Sequence, residues 1–143
     1  MWFISLTFQS GIHDSTPRVK IWTTWIGMLI WCVGFFFEAV GDYQMALFQS
    51  KPDTKGKVMS EGLWRYTRHP NYFGDFCIWW GIYLVGASMQ SWWTIGSPLL
   101  MSFLLMKVSG VTLLEDDIEE RRPEYAAYKR STNAFFPGPA SDG

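Results

Sequence analysis

Charge is missing where a water-soluble chain would need it. From Phe76 to Met106 there is no Asp, Glu, Lys or Arg, and Ile21 to Phe37 is likewise uncharged. A helix that faces water carries polar residues along its outer side, so these stretches are excluded as the surface of a soluble domain. Cysteine is scarce too. Only Cys32 and Cys77 occur, both inside apolar stretches where a free thiol packs as a small hydrophobe, which excludes a disulfide framework. His13 and His69 stand 56 residues apart with no cysteine pair between them, so no metal-ligand spacing exists. A Gly-rich phosphate loop, a GxSxG elbow and an internal repeat are all absent. No nucleic-acid partner is expected.

What is present is membrane composition. Nine tryptophans crowd 143 residues, and the charges gather in two segments, about 49 to 70 and 115 to 130. A spanning helix takes about 20 mostly apolar residues, so the 31-residue uncharged run suits two spans joined by a tight turn. The spacing predicts membrane helices at about 20–47, 71–88 and 92–114, with Gly86, Ser88, Gln90 and Ser91 in the turn and Trp92 and Trp93 at the interface. The expected fold is therefore all-α, an integral membrane bundle of about three helices followed by an amphipathic interfacial helix over Glu119–Arg130. It forms one domain, 1–143, with 138–143 as a disordered tail. Three spans put both charged segments on one side. Lys51, Lys55, Lys57, Arg65 and Arg68 on one, and Arg121, Arg122, Lys129 and Arg130 on the other, make that side cytoplasmic, against a weaker pull from Arg18 and Lys20. The opening MWFISLTFQSG lacks a basic n-region and is not a secretory signal; it reads as the end of an earlier apolar helix, so the chain is expected to be the C-terminal part of a longer membrane protein.

Polar residues inside the apolar stretches carry the functional information. Glu38 and Asp42 lie four apart on one helical face at or near membrane depth, either facing a cavity or simply wet in the headgroup region. Asn71 and Asp75 repeat that spacing on a helix opened by Pro70, and their face includes Trp79. Before that helix stands LWRYTRHPNYFGD. Lys57, Arg65, Arg68 and His69 either anchor the chain to anionic lipid or converge on an anion at the helix N-terminus, with Trp64, Tyr66 and Tyr72 interleaved to stack on a flat ring.

The run GLWRYTRHPNYFGDFCIWWGIYL, preceded by FFFEAVGDYQMALFQSKP and followed by SGVTLLEDDIEERRPEYAAYKRSTNAFFP, closely resembles the steroid 5α-reductase-like family of DUF1295 membrane proteins over about residues 25–137. The resemblance implies a helix bundle whose C-terminal half holds NADPH from the cytoplasmic side. On that basis Asp42 is a cofactor-pocket acid, and Lys57 takes a place where the better-studied reductases use arginine. Asn71 and Asp75 match the family's Asn and Glu, with Asp75 shorter by one methylene. Arg65, Arg68 and His69 join them. Where the steroid enzymes have a histidine-rich stretch, this chain offers Glu115, Arg121, Arg122, Tyr125 and Tyr128.

The implied reaction is reduction of a C=C bond in a small lipophilic, enone- or enoyl-type substrate, with Glu38, Tyr43 and Tyr72 as candidate catalytic donors to its carbonyl. The RHPxYxG core also occurs in isoprenylcysteine carboxyl methyltransferases, which bind S-adenosylmethionine. Their paired acids and Tyr-x-x-Tyr pattern have counterparts in Glu115–Asp116 and Tyr125–Tyr128. The basic surplus favours NADPH over a sulfonium cofactor. Because the steroid enzymes draw their substrate-polarising pair from an N-terminal half not evident here, the chain is expected to hold the cofactor side alone. A non-catalytic remnant is the third reading.

Overall fold

A computed structural model describes residues 17–86, 92–108, 118 and 124–139. Four α-helices have both ends among the described residues. Helix α1 is Pro17–Gln49, α2 is Pro70–Gly86, α3 is Gly96–Phe103 and runs on into a π-helical turn at Leu104–Val108, and α4 is Tyr125–Ser131. Short 3₁₀ turns occupy Pro52–Thr54, Gly62–Arg65 and Trp92–Ile95, and no strand occurs among the described residues. The all-helical expectation holds.

Proline sets the boundaries. Pro17 and Pro70 open α1 and α2, because a first-turn residue has no intrahelical use for its N–H and proline's φ is already helical. Pro52 follows the end of α1, which it cannot extend. The chain then reverses at Lys55–Gly56. Lys55 has φ −59° and ψ 121°, Gly56 has φ +83°, and the Lys57 amide donates to the Thr54 carbonyl at 2.9 Å. That is a type II turn, whose third position needs the left-handed backbone glycine supplies.

The tightest packing joins α1 to α2. Gly27, Gly34 and Gly41 recur every seven residues on α1 and meet Gly81, Gly74 and Pro70 of α2 in descending order, so the two helices run antiparallel. A Cβ added to Gly27 would lie 2.8 Å from the Gly81 carbonyl oxygen, and one added to Gly81 would lie 2.7 Å from that of Gly27. Small residues let the backbones touch, the means by which helices associate in lipid, where apolar side chains gain nothing by leaving the solvent. This seam extends over about 21 Å at 1.5 Å per residue. Helix α3 leans on α2 through the Trp80 indole, which donates to Ser102 Oγ at 3.2 Å, while Ser102 donates to the Pro98 carbonyl at 2.6 Å.

The rest of α1 faces outward. Trp22 is 72 % exposed and Leu29 66 %, and Trp25, Phe35 and Phe36 are exposed with them. Leaving a large apolar side chain in water forfeits about 1.5–3 kcal/mol, so this side belongs against an apolar medium. Of the described helices, α1 is the one long and apolar enough to cross a membrane, over Ile21–Gln49. The expected second and third spans correspond to α2, described for 17 residues, and to α3, described for eight before its π-helical turn. Only the first of the three expected spans therefore meets that length within the described residues. Of the expected turn, Ser88, Gln90 and Ser91 lie outside the described residues, and Gly86 ends α2.

Of the expected interfacial helix over 119–130, residues 119–123 lie outside the described residues, and the described part is packed against the rest of the fold. Within it α4 has seven residues with Tyr125 and Tyr128 buried, and the chain beyond it lays Phe135 and Phe136 against Phe73 and Phe76 of α2. Gly138, assigned to the tail from sequence, donates its amide to the Tyr66 carbonyl at 3.1 Å.

Candidate functional site

The residues of LWRYTRHPNY are fastened from both sides. Toward α1, the Leu63 amide donates to Gln44 Oε1 at 3.0 Å and the Trp64 indole donates to the Gly41 carbonyl at 3.1 Å. Toward the C-terminal segment, the Tyr128 hydroxyl donates to the Trp64 carbonyl, Thr67 Oγ1 to that of Phe135 at 2.8 Å, and the Arg68 amide to that of Asn133 at 2.9 Å. Thr67 is wholly buried, so its hydroxyl must be satisfied internally, and it is. This strapping holds the turn rigid at the mouth of α2.

Between the end of α1, the turn and α4 opens a cleft of ≈ 300 Å³. Met45 and Gln49 form its α1 side, Trp64, His69 and Tyr72 come from the turn and the start of α2, and Tyr125 and Tyr128 close it from α4. His69 and Tyr72 stack at 5.5 Å with their planes 10° apart. Aromatic rings on facing walls suit a flat heterocycle. A second depression of ≈ 350 Å³ shares Met45, Gln49 and Met59 with the first and is lined also by Lys51 and Lys55. The two adjoin across these shared residues and together form a groove region, with aromatic rings lining the first and lysines the second.

Of the residues singled out in the sequence, Arg68, His69, Asn71, Tyr72 and Tyr125 converge on the aromatic end. Arg68 is there in an unexpected manner. It is 8 % exposed, and its Nη1 donates to the carbonyls of Lys129 at 2.8 Å and Thr132 at 2.7 Å, where α4 ends. Glu38, Asp42, Tyr43, Lys57, Arg65 and Asp75 are not among the residues lining the groove. Glu38 and Asp42 of α1 and Asp75 of α2 stand apart from it, with Glu38 beside Gly74 at the α1–α2 seam. Tyr43 is 67 % exposed on the outer side of α1. Glu115 and Arg121 lie outside the described residues.

Sequence reasoning missed Met45, Gln49 and Met59 as lining residues and gave Lys55 no role beyond topology. The first two stand four apart on α1, a spacing that was readable. Their facing partners, more than a dozen residues on, were not.

A family model described as "Protein of unknown function (DUF1295)" matches residues 1–132. Among curated proteins, "Uncharacterized protein C9.08c" of Schizosaccharomyces pombe is 32% identical over 134 residues, covering 82% of this chain and 46% of that protein. "Probable O-methyltransferase ustE" of Ustilaginoidea virens is 40% identical over 53 residues, covering 37% of this chain and 18% of that protein. The chain thus spans less than half the length of either relative. No solved structure matches it.

Proposed function

Starting from the fact that the chain belongs to the DUF1295 family, we propose that it forms the cofactor-holding part of a membrane oxidoreductase that uses NADPH to reduce a C=C bond of a lipid-like substrate. The observation that carries this reading is that the aromatic cleft adjoins, across Met45, Gln49 and Met59, the depression lined by Lys51 and Lys55. A dinucleotide phosphate needs both a stacking surface and cations, whereas each cavity alone sits at the lower end of the roughly 300–1,000 Å³ typical of ligand pockets. When bound, NADPH would supply a hydride to the β-carbon of the substrate alkene, and a proton from solvent would complete the reduction at the α-carbon.

The chain's own groups hold and orient. Trp64, Tyr72 and Tyr125 supply aromatic lining, Asn71 an amide, and Lys51 and Lys55 ammonium donors to phosphate. Tyr72, kept in place by its stack on His69, is the catalytic candidate that lines the cleft; its phenol would polarise a carbonyl brought to it. Glu38 and Tyr43 lie away from this groove and have no part in holding the cofactor. In this reading α2 and α3 accompany α1 into the bilayer. The glycine seam sets α2 against the middle of α1, and the basic loop after α1 lies on the cytoplasmic side.

S-adenosylmethionine-dependent methyl transfer is the second reading. It is favoured by the relative described as an O-methyltransferase and by an aromatic cleft in which Arg68 is the one Lys or Arg among the lining residues. Thermal shift of the detergent-purified protein with NADPH, NADH and S-adenosylmethionine separates the two. A ligand of the folded state at 100 times its Kd adds about 2.7 kcal/mol of stability. Stabilisation by NADPH well beyond NADH upholds the reductase reading; stabilisation by S-adenosylmethionine alone replaces it with methyl transfer; response to none defeats both.

A further inference from the structure

Arg68 stands in the motif that sequence reasoning assigns to phosphate, yet its surroundings describe a different task. A helix leaves its last four carbonyls without intrahelical partners. The carbonyls of Lys129, in the last turn of α4, and of Thr132, the extended residue that caps it, receive Arg68 Nη1 at 2.8 and 2.7 Å. The same residue's amide binds the Asn133 carbonyl at 2.9 Å, and the neighbouring Thr67 hydroxyl binds that of Phe135. A guanidinium suits this place, because the two N–H bonds of Nη1 can each serve one acceptor, it never loses its charge, and a cation at a helix C-terminus is favoured by the backbone dipoles. Tyr125 and Tyr128, one wall of the cleft, sit on the short helix so held. Seven residues are too few for a helix that stands by itself.

We propose that Arg68 is a positioning residue: by capping α4 it fixes the Tyr125–Tyr128 wall, and it controls ligand affinity through that wall rather than by contacting phosphate. The proposal rests on the cleft being the cofactor site.

The test combines two readouts on the full chain in detergent, for wild type, Arg68→Ala, Arg68→Lys and, as a milder break of the same strap, Thr67→Val. Hydrogen exchange reports the α4 segment whether or not a ligand is known, and titration with NADPH, NADH and S-adenosylmethionine reports the cleft. Arg68→Ala should speed exchange across 125–138 while the α1–α2 amides stay protected. It should weaken every probe that the wild type binds by about the same factor, roughly tenfold or more. Guanidinium at low concentration should restore both, sodium neither, and Arg68→Lys should lie between. Thr67→Val should reproduce the exchange change in smaller measure. Unchanged exchange over 125–138 in Arg68→Ala overturns the proposal. So does faster exchange with unaltered affinity, and so does a loss confined to NADPH that salt abolishes, which would make Arg68 a phosphate ligand. Wild-type protein that binds none of the probes defeats the cofactor reading and with it the control of affinity, while the exchange comparison still shows whether Arg68 caps α4.

Discussion

Gly34 and Gly74 lie so close that a Cβ built on Gly34 would stand 2.6 Å from the Gly74 carbonyl oxygen, and one built on Gly74 would stand 2.5 Å from the Glu38 amide nitrogen. The obstacles are backbone atoms, which cannot swing aside as a side-chain tip can. Gly34→Ala and Gly74→Ala should each cost about 1–3 kcal/mol by forcing the helices apart. Gly96→Ala, where an added Cβ meets nothing within 4 Å, should leave the thermal midpoint in detergent unchanged or slightly higher. Equal midpoints for Gly74→Ala and Gly96→Ala would show that the seam is not packed as described.

Gly56 has open space around it but a φ of +83°. Ala there meets no atom and yet adopts a left-handed backbone, at about 1–2 kcal/mol. The loop carries Lys55 into the groove, so Gly56→Ala should also weaken NADPH binding more than Gly96→Ala does. Titration of the two variants side by side checks this.

Ser102 both accepts from the Trp80 indole and donates to the Pro98 carbonyl. Ser102→Ala removes the cross-helix partner of Trp80, and hydrogen bonds between helices in lipid average about 0.6 kcal/mol. The expected effect is a small drop in midpoint, well below that of the glycine variants. A larger loss would mean that Ser102 supports more than this bridge.

Tyr128→Phe keeps the ring against the cleft and removes only the hydroxyl that binds the buried Trp64 carbonyl. An acceptor left without its partner costs about 1–3 kcal/mol. Limited proteolysis of the C-terminal segment should accelerate in this variant. Wild-type resistance to cleavage would show that the bond is dispensable to the strap.

Lys51 and Lys55 line the depression and are exposed. Replacing both by Ala should lower NADPH affinity by about tenfold or more, leave NADH nearly untouched, and abolish the salt dependence of NADPH binding. A uniform loss for both nucleotides would put these lysines on the shared pyrophosphate and not on the 2′-phosphate.

The sequence made some of this plain because the signals are local. Uncharged runs imply helices in an apolar medium, Pro70 marks a helix start, and RYTRHPNY marks the place where polar and aromatic groups gather. The glycine repeat at 27, 34 and 41 was equally present in the letters, but its meaning as a seam depends on Gly74 and Gly81 coming to face it. Arg68 shows the opposite case: its letter and neighbours fit an anion site, while its acceptors, 61 and 64 residues away, are backbone carbonyls, which carry no signature in sequence.

By itself, then, the sequence determined the helical class, the apolar length of α1 and the segment around which the site is built, since each follows from residue type and spacing along one helix. Tertiary structure decided which side chains share a cavity: Glu38, Asp42 and Asp75 went to the α1–α2 side, Met45, Tyr72 and Tyr125 to the cleft, and Arg68 to the end of α4. The reason is physical. A buried cation or hydroxyl goes to the nearest acceptor that can satisfy it, and that acceptor is chosen by how distant segments pack.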